Sequence, residues 1–562
     1  MFDNAKGFIF CQGLDEPEGV DAIILEDNMW MADKRLHKFK NDEILQKEGA
    51  DWFLFDGYIL NKEEVCEQKK TKTWSKAFIK LMQDEKCPER LRGAFCGFWG
   101  NEKTYTLFVD HVGNRGLYYY CQNDIVIFSS NFYFMIELLR YHNIVLTVSK
   151  QAIKYMLEQG FMLDDTTFAE EIRRVCPGET IEIQNNCVVN KQRYYRIDNT
   201  SAVFDMTEEE MIREIDFYFK QAVKREFEKD REYGYKHLVD LSGGLDSRMT
   251  CWCAHQMGYT DQTNFTYCRK NYLDFEIAKE IALKLKHTFL FMPLDDFQWY
   301  REVEEILQRN NGSAFYATIT GGNRFLRLID CRRYGIEHTG MVGDAILSTF
   351  YANEQYNYDK PNGSENAYSQ LVRYDIPLSI IERFDNREQF SVYTRGLLGA
   401  QSSYFIRQNY TETASPFLDV DFMNYVFTIP FKYRRRHYIY LKWIACKYPE
   451  ASEFGWEKWF GIKPKLSNLW PKRVVNTINK YLSKADRKIG YHSKRGMNPL
   501  DYWLDHDIDM QRWIQDYFEE NRMWLEKVPD MKDDIRKVFE QGDASEKTQA
   551  ITVLTMIKYI LA

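Results

Sequence analysis

Apolar residues in the first two hundred positions fall into short runs separated by turn-forming residues: GFIF, DAIIL, DWFLF, GAFCGFW, YTLFV, GLYYY and DIVIFSS. Runs of that length and spacing predict β-strands. Residues 73–82 and 150–159 carry helical periodicity instead, so this half reads as mixed sheet and helix. The segments PGETIEI (177–183) and RYYRI (193–197) read as a closing hairpin, and the polar stretch 198–210 as a linker running into a helix. That places a domain boundary near 200, dividing the chain into 1–200 and 205–562. Beyond it the rhythm changes. HLVDL, a helix after two glycines, NFTYC, a helix from Asp274, HTFLFMPL, more helix and HTGMV alternate, which predicts a doubly wound parallel sheet. No internal repeat or low-complexity tract is present.

One corner of that second pattern carries chemistry. KHLVDLSGGLDSRMTCWCAHQMG (236–258) starts as a buried strand, breaks at Gly243-Gly244 and resumes with Met249, Trp252, Cys253 and Met257 on one helical face before Gly258. Consecutive glycines let backbone N–H groups converge on an anion, and the helix start adds partial positive charge. Ser242 and Ser247 supply hydroxyl donors. Asp246 would repel bare phosphate unless it held a divalent cation that bridges phosphate oxygens, which implies Mg2+. A plain glycine turn is the simpler reading, but Ser-Gly-Gly-x-Asp-Ser arises by chance in roughly one chain in a thousand of this length.

Composition narrows the function class. With 562 residues, 44% hydrophobic and 16% aromatic, the chain can bury large cores in two or more domains. A net charge of -8 argues against a general nucleic-acid binder. The twelve cysteines show no paired CxxC spacing, so reduced cytosolic thiols are expected. No signal-peptide core and no run of about 20 apolar residues is found, which predicts a cytoplasmic protein.

The loop Ser242-Gly-Gly-Leu-Asp-Ser247 resembles the pyrophosphate loop of ATP pyrophosphatases, and further segments narrow the likeness to the asparagine synthetase superfamily, which includes β-lactam synthetases and lasso-peptide cyclases. Residues 264–282 look like that family's strand, loop and Asp-headed helix, and SPFLDVDFMNYVFTIPFKYR (415–434) like its PFLD segment. Residues 91–120 and 56–65 resemble its glutamine-hydrolysing domain. The resemblance implies an α/β synthetase domain with a helix-rich tail behind an α+β sandwich of the N-terminal nucleophile hydrolase type. It also implies a carboxylate activated by ATP as an acyl-adenylate and captured by ammonia or an amine. By resemblance, Ser242, Gly243, Gly244, Asp246 and Ser247 hold pyrophosphate, and Leu241, Tyr267, Thr339 and Gly340 contact the nucleotide. Asp246 and Asp344 bind the metal, and Lys458 neutralises charge in the transition state, with Lys463 and Lys465 as nearby alternatives.

Departures from the family matter equally. Alignment puts Lys6 where the hydrolytic cysteine belongs, Asp56-Gly57-Tyr58 replaces Asn-Gly-Glu, and KTKTWSKAF lacks the usual acid. Glutaminase activity is therefore expected to be lost, and a rescue by exposed Cys11 is disfavoured. Met341 stands where asparagine-forming members carry a glutamate, which leaves the general base unassigned. Residues 463–495 hold ten Lys or Arg and one acid, Asp486, interleaved with Trp470, Val474, Val475, Ile478, Tyr481 and Leu482. A docked helix with a solvated face is favoured there over contact with a membrane or a phosphorylated carrier. The expected partners are a small-molecule, peptide or glycan-precursor carboxylate and an amine, with no nucleic acid, and a homo-oligomer is compatible with the sequence. Competing readings are an intramolecular amide-forming cyclase, a glutamine-hydrolysing asparagine synthetase, another AMP-forming pyrophosphatase such as a tRNA-modifying enzyme, and a non-catalytic scaffold.

Overall fold

A computed structural model describes residues 1–562 except 3–4, 202–204, 319, 352, 470–471, 473, 476, 478–493 and 495, with backbone alone at 318, 320 and 321. Most of the basic stretch 463–495, including Trp470, Ile478, Tyr481 and Leu482, thus lies outside the described residues.

The N-terminal half contains β1 (Phe8–Gln12), β2 (Ala22–Glu26), β3 (Met29–Asp33), β4 (Ile44–Glu48), β5 (Asp51–Ile59), β6 (Gly93–Asn101), β7 (Thr104–Val109), β8 (Tyr118–Gln122), β9 (Ile125–Ser129), β10 (Arg173–Arg174), β11 (Glu179–Gln184) and β12 (Cys187–Arg193). They form two six-stranded sheets, ordered β10-β8-β9-β1-β3-β2 and β12-β11-β7-β6-β5-β4. Helices α1 (Lys62–Lys69) and α2 (Trp74–Glu85) cover one outer face, and α3 (Phe132–Tyr141) and α4 (Lys150–Glu158) the other. This four-layer packing explains the unbroken apolar run of β1. Phe8 and Phe10 point between the sheets, while Ile9 and Cys11 lie under helices, so neither face meets water. Phe10 stacks on Phe128 with ring centroids 5.2 Å apart.

The closing hairpin differs from the sequence reading. Its second strand is CVVNKQR, not RYYRI, and the turn is Asn185-Asn186, both in the left-handed region that asparagine tolerates. Being an edge strand, β12 is exposed along nearly its whole length, its apolar Val188 and Val189 included.

The C-terminal half is built on β13 (Lys236–Asp240), β14 (Gln262–Cys268), β15 (Thr288–Pro293), β16 (Tyr334–His338) and β17 (Glu412–Ala414), all parallel, in the order β15-β14-β13-β16-β17. The order reverses at β13, the doubly wound arrangement, which opens a crevice at the carboxyl ends of β13 and β16. HTGMV is not itself a strand: β16 precedes it and ends at His338, so Thr339 onward is loop. Helix α5 (Glu208–Glu232) leads into this half through a capping box, with Thr207 Oγ1 accepting from Glu210 N at 3.3 Å and Glu210 Oε2 from Thr207 N at 2.9 Å. Helices α6 (Asp246–Gln256) and α7 (Leu273–Leu285) follow β13 and β14.

The halves are joined by more than the linker. Tyr58 donates to Thr413 O at 2.8 Å, Arg115 pairs with Glu412 at 2.5 Å, and Arg92 with Asp421 at 2.9 Å. The helix Ala544–Leu561, buried on all sides, packs against α4 and the helix Val303–Asn310, and Tyr559 meets Tyr133 edge-on at 5.0 Å. Among the described residues no helix is long and apolar enough to cross a membrane.

Beneath the crevice, α5 presents Glu226 and Asp230 to the two strands that build it. Asp230 Oδ2 accepts from His237 Nδ1 and His338 Nε2, each at 2.9 Å, and Oδ1 accepts from Ile336 N at 2.9 Å. Burial alone would lower the pKa of His338, but Asp230 and Glu226 outweigh it and raise it to about 9. A raised folded-state pKa means the native state binds more protons than the unfolded chain, so this stability is fully present below about pH 6.5 and is lost as pH rises through about 9. Thermal denaturation between pH 6.5 and 9.5 is expected to show a falling midpoint, with a flatter slope in His338→Gln; equal slopes in both proteins would contradict the assignment.

Candidate functional site

The site is assembled where β13 and β16 end side by side. Ser242 to Leu245 form the loop into α6, whose N-terminus has no side-chain cap and so offers its first amides to a ligand. Ser247 Oγ accepts from Ser242 N at 3.0 Å and lies 2.9 Å from Ser242 Oγ, and Gly244 N donates to Ser242 Oγ at 3.1 Å. Gly243 N donates to Asp274 Oδ1 at 2.8 Å. The backbone approach is close on all sides. A Cβ on Gly340 would lie 2.2 Å from Ser247 N, and one on Gly343 would lie 2.7 Å from Asp246 Cγ.

Two acids meet across this contact. Asp246 Oδ2 accepts from the backbone N–H of Asp344 at 2.8 Å, and Oδ1 from Tyr440 OH at 2.8 Å. Burial and the neighbouring Asp344 charge push the Asp246 carboxyl up to about 8. Lys458 Nζ reaches Asp344 Oδ2 at 3.0 Å from a half-exposed position. Lys463 and Lys465 instead both pair with Glu453. Two crowded carboxylates, one of them held against its ionised form, are a donor set that a divalent cation would relieve, and oxygen ligands suit magnesium. The residues present therefore fit the metal that the sequence implies.

Several participants escape sequence reasoning. Tyr440 lies 194 residues from Asp246 and carries no local signal. Asp274, visible only as the acid heading α7, is pushed up to about 7 by burial and Glu457. Arg248 is buried and donates to the carbonyls of Gly243 at 3.2 Å and Ala451 at 3.1 Å, and also to Gly455, which ties the Lys458 turn to the Ser242–Leu245 loop. His437, in the left-handed region, has a buried Nε2 without a hydrogen-bond partner, and burial and the Lys458 charge pull its pKa to about 4, so it is neutral.

The residues expected to contact a nucleotide divide. Tyr267 OH accepts from Arg407 Nη2 at 2.6 Å, and Arg407 also pairs with Glu337 and lies 3.5 Å from Asp240, at the carboxyl end of β13. Leu241 keeps its side chain wholly in the core, leaving only backbone to face a ligand. Thr339 is also buried: its hydroxyl lies 2.7 Å from Tyr404 OH and donates to Ala414 O at 3.0 Å, holding β16 to β17. Met341 packs, partly buried, against the core.

The positions aligned with the hydrolytic site are occupied differently. Asp56 is buried and lies between Arg115 at 3.3 Å and Arg35 at 3.6 Å. A Cβ on Gly57 would come 2.0 Å from Ala94 O, so that glycine is demanded by strand pairing, and Tyr58 is spent on Thr413. Cys11 is fully buried with its thiol pushed up to about 12 by burial. Lys6 lies just ahead of β1, with its amide donating to Asn409 Oδ1 at 2.8 Å.

Residues 19–195 match the family model described as a glutamine amidotransferase domain. The N-terminal sandwich is thus an amidotransferase-type domain. No curated protein matches the chain. The glutamine phosphoribosylpyrophosphate (PRPP) amidotransferase from B. subtilis complexed with ADP and GMP aligns at 10% identity and TM-score 0.24, over 52% of this chain and 86% of that one. The allosteric regulatory enzyme of purine biosynthesis aligns at 9% identity and TM-score 0.24, over 51% and 75% respectively. Overlaps that low carry no weight for activity.

Gly340→Ala forces a methyl into the Ser247 amide. It is expected to cost about 1–3 kcal/mol of stability by overpacking and to weaken magnesium-ATP binding measured by calorimetry. Unchanged affinity with an unchanged denaturation midpoint would show that the close approach is not needed.

Proposed function

We propose that the chain is an ATP-dependent ligase forming carbon–nitrogen bonds, of the asparagine synthetase type, releasing AMP and pyrophosphate. One observation carries this reading: a strand–glycine loop–helix cradle whose Asp246 is bonded to the backbone of Asp344, with Lys458 on the same acid. Helix-terminal amides and serine hydroxyls suit phosphoryl oxygens, and the pair of acids suits a cation between them and the phosphates.

In this mechanism the substrate carboxylate attacks the α-phosphorus of ATP, pyrophosphate leaves, and an amine then displaces AMP from the acyl-adenylate. The uncapped α6 amides, Ser242 and Ser247 bind the leaving pyrophosphate. Asp246 and Asp344 are the residues that would hold magnesium, which would supply neutralisation of phosphate charge. Tyr440 orients the Asp246 carboxylate. Lys458 sits within reach of the same phosphates and supports the charge that develops during transfer. Arg407, Asp240 and Tyr267 form the wall on the β14 side, where the nucleoside would lie. Met341 in place of a glutamate supports an acceptor or acid other than that of asparagine formation.

The amidotransferase-type domain acts here as a platform, with nitrogen coming from ammonia or from an amine on the substrate. The burial of Cys11, the lysine aligned with the nucleophile and the occupied Asp56 and Tyr58 support this.

Asp246→Asn is expected to lower AMP release with the cognate acid by at least about a hundredfold without moving the melting temperature; parental rates would overturn the magnesium assignment. Incubation of the purified protein with glutamine, with and without magnesium-ATP, is expected to yield no glutamate above a boiled control. Release that disappeared in Cys11→Ala would instead reveal a working glutaminase.

A further inference from the structure

A second cavity lies away from the phosphate loop, between the end of β12, the linker that follows it, and residues 383–397 of the C-terminal half. It encloses about 290 Å³, room for about ten waters at 30 Å³ each. Its apolar wall is made by Tyr195, Ile197, Phe384, Tyr393 and Leu397. Two polar groups on that wall keep donors to offer. The Arg193 guanidinium lies over the Tyr393 ring at 4.5 Å, and the carboxylates of buried Glu179 and half-buried Asp164 favour its charge, but among the described residues neither of them reaches it within 4.0 Å. The Tyr393 hydroxyl is buried, on a side chain 8% exposed, and has no hydrogen-bond partner.

The other charges around the cavity are engaged or exposed. Arg383 pairs with Asp164 at 2.6 Å. Asp198 accepts from Thr200 N at 2.8 Å, Thr200 Oγ1 at 2.6 Å and Ser201 Oγ at 2.9 Å. Asp385 is exposed at the rim, 3.9 Å from Lys360. His111 is held near a pKa of 3 by burial and is therefore neutral. Arg193, cross-strand from buried Glu179 and within the field of Glu179 and Asp164, faces the space with its guanidinium donors, joined by exposed Arg196. A buried tyrosine hydroxyl without a partner is costly unless something supplies one.

We infer that this cavity is a binding site for a small organic carboxylate with a flat apolar body, its charge on Arg193 and the Tyr393 hydroxyl and its body against the aromatic wall. A guanidinium fork and a phenol are donors that a carboxylate accepts from together, and an inorganic anion would leave the apolar wall unfilled. Tyr393 and Leu397 belong to a π-helical segment, Val392–Gly399, a geometry that costs backbone regularity and often marks a binding site. The opposite side of that segment touches the phosphate-site loop, since a Cβ on Gly396 would meet Val342 Cγ1 at 3.3 Å. The site is independent of the proposed reaction, because none of its residues belongs to the Asp246–Asp344 cluster.

The test uses phenylacetate and its neutral isostere phenylacetamide, followed by saturation-transfer NMR on the full chain. Phenylacetate is expected to bind wild type and Asp246→Asn alike, about tenfold more weakly to Arg193→Met, and with an intermediate loss to Arg193→Lys. Phenylacetamide is expected to bind weakly and equally to all. Tyr393→Phe keeps the ring and removes the hydroxyl, so it reads the second donor without emptying the wall. Absence of phenylacetate binding at 10-millimolar order, or binding that Arg193→Met leaves unchanged while the variant melts as wild type does, would overturn the proposal. Loss in Asp246→Asn would relocate the ligand to the phosphate site.

Discussion

Asp230 is the point on which the crevice depends. A single buried carboxylate on α5 reaches a histidine on β13, a histidine on β16 and a backbone amide of β16, so it fixes both strands in height and register from below. Register matters because a parallel pair sets which residues stand level at its carboxyl end. Val239 is level with His338, and from there the two chains turn outward into the Ser242 loop and the Thr339 loop. Without a polar anchor, two apolar strands could pack against α5 in more than one height; hydrogen bonds to buried groups remove that freedom because leaving any one of them unmade is expensive.

From that base the site is built by contact rather than by side-chain reach. Gly340 and Gly343 permit two loops to touch through backbone, and the touching delivers the Asp344 amide to the Asp246 carboxylate. Arg248 then holds the segment 451–455 through carbonyl oxygens, which brings Lys458 round to the second acid. Its guanidinium is buried among carbonyls with no carboxylate beside it, and burial lowers its pKa to about 10. The arrangement uses a helix terminus and two closely packed loops for the acids and a short, more exposed turn for the lysine.

The glycine loop between β13 and α6, the parallel sheet and the strand-rich first half were legible because each leaves a local trace: glycines between a strand and a helix, alternating β and α runs, apolar runs at turn spacing. What was not legible depends on long-range contact. Tyr440 reaches Asp246 from a helix whose apolar surface gives no hint of the bond, and Arg248 looks like any polar position on a helix face. The edge strand β12 was misplaced because its side chains face water on both sides, while of the aromatic residues after it, which looked like a strand, Tyr194 donates to Val109 O and Tyr195 lines a cavity. Thr339, assigned to the nucleotide by resemblance, is engaged with Tyr404 and Ala414, and only geometry could reveal that its hydroxyl was already occupied.

The backbone contact between the two loops also divides the chain's freedom to vary. Any residue larger than glycine at 340 or 343 would separate Asp246 from Asp344, so the chain tolerates little drift at those positions. Met341, between them, meets no such limit: its side chain only fills space. A lineage could therefore exchange that residue, and with it the lining of the crevice, while the loops on either side stay locked. Variation is then concentrated at one edge of the crevice, and the contact that sets Asp246 against Asp344 is kept.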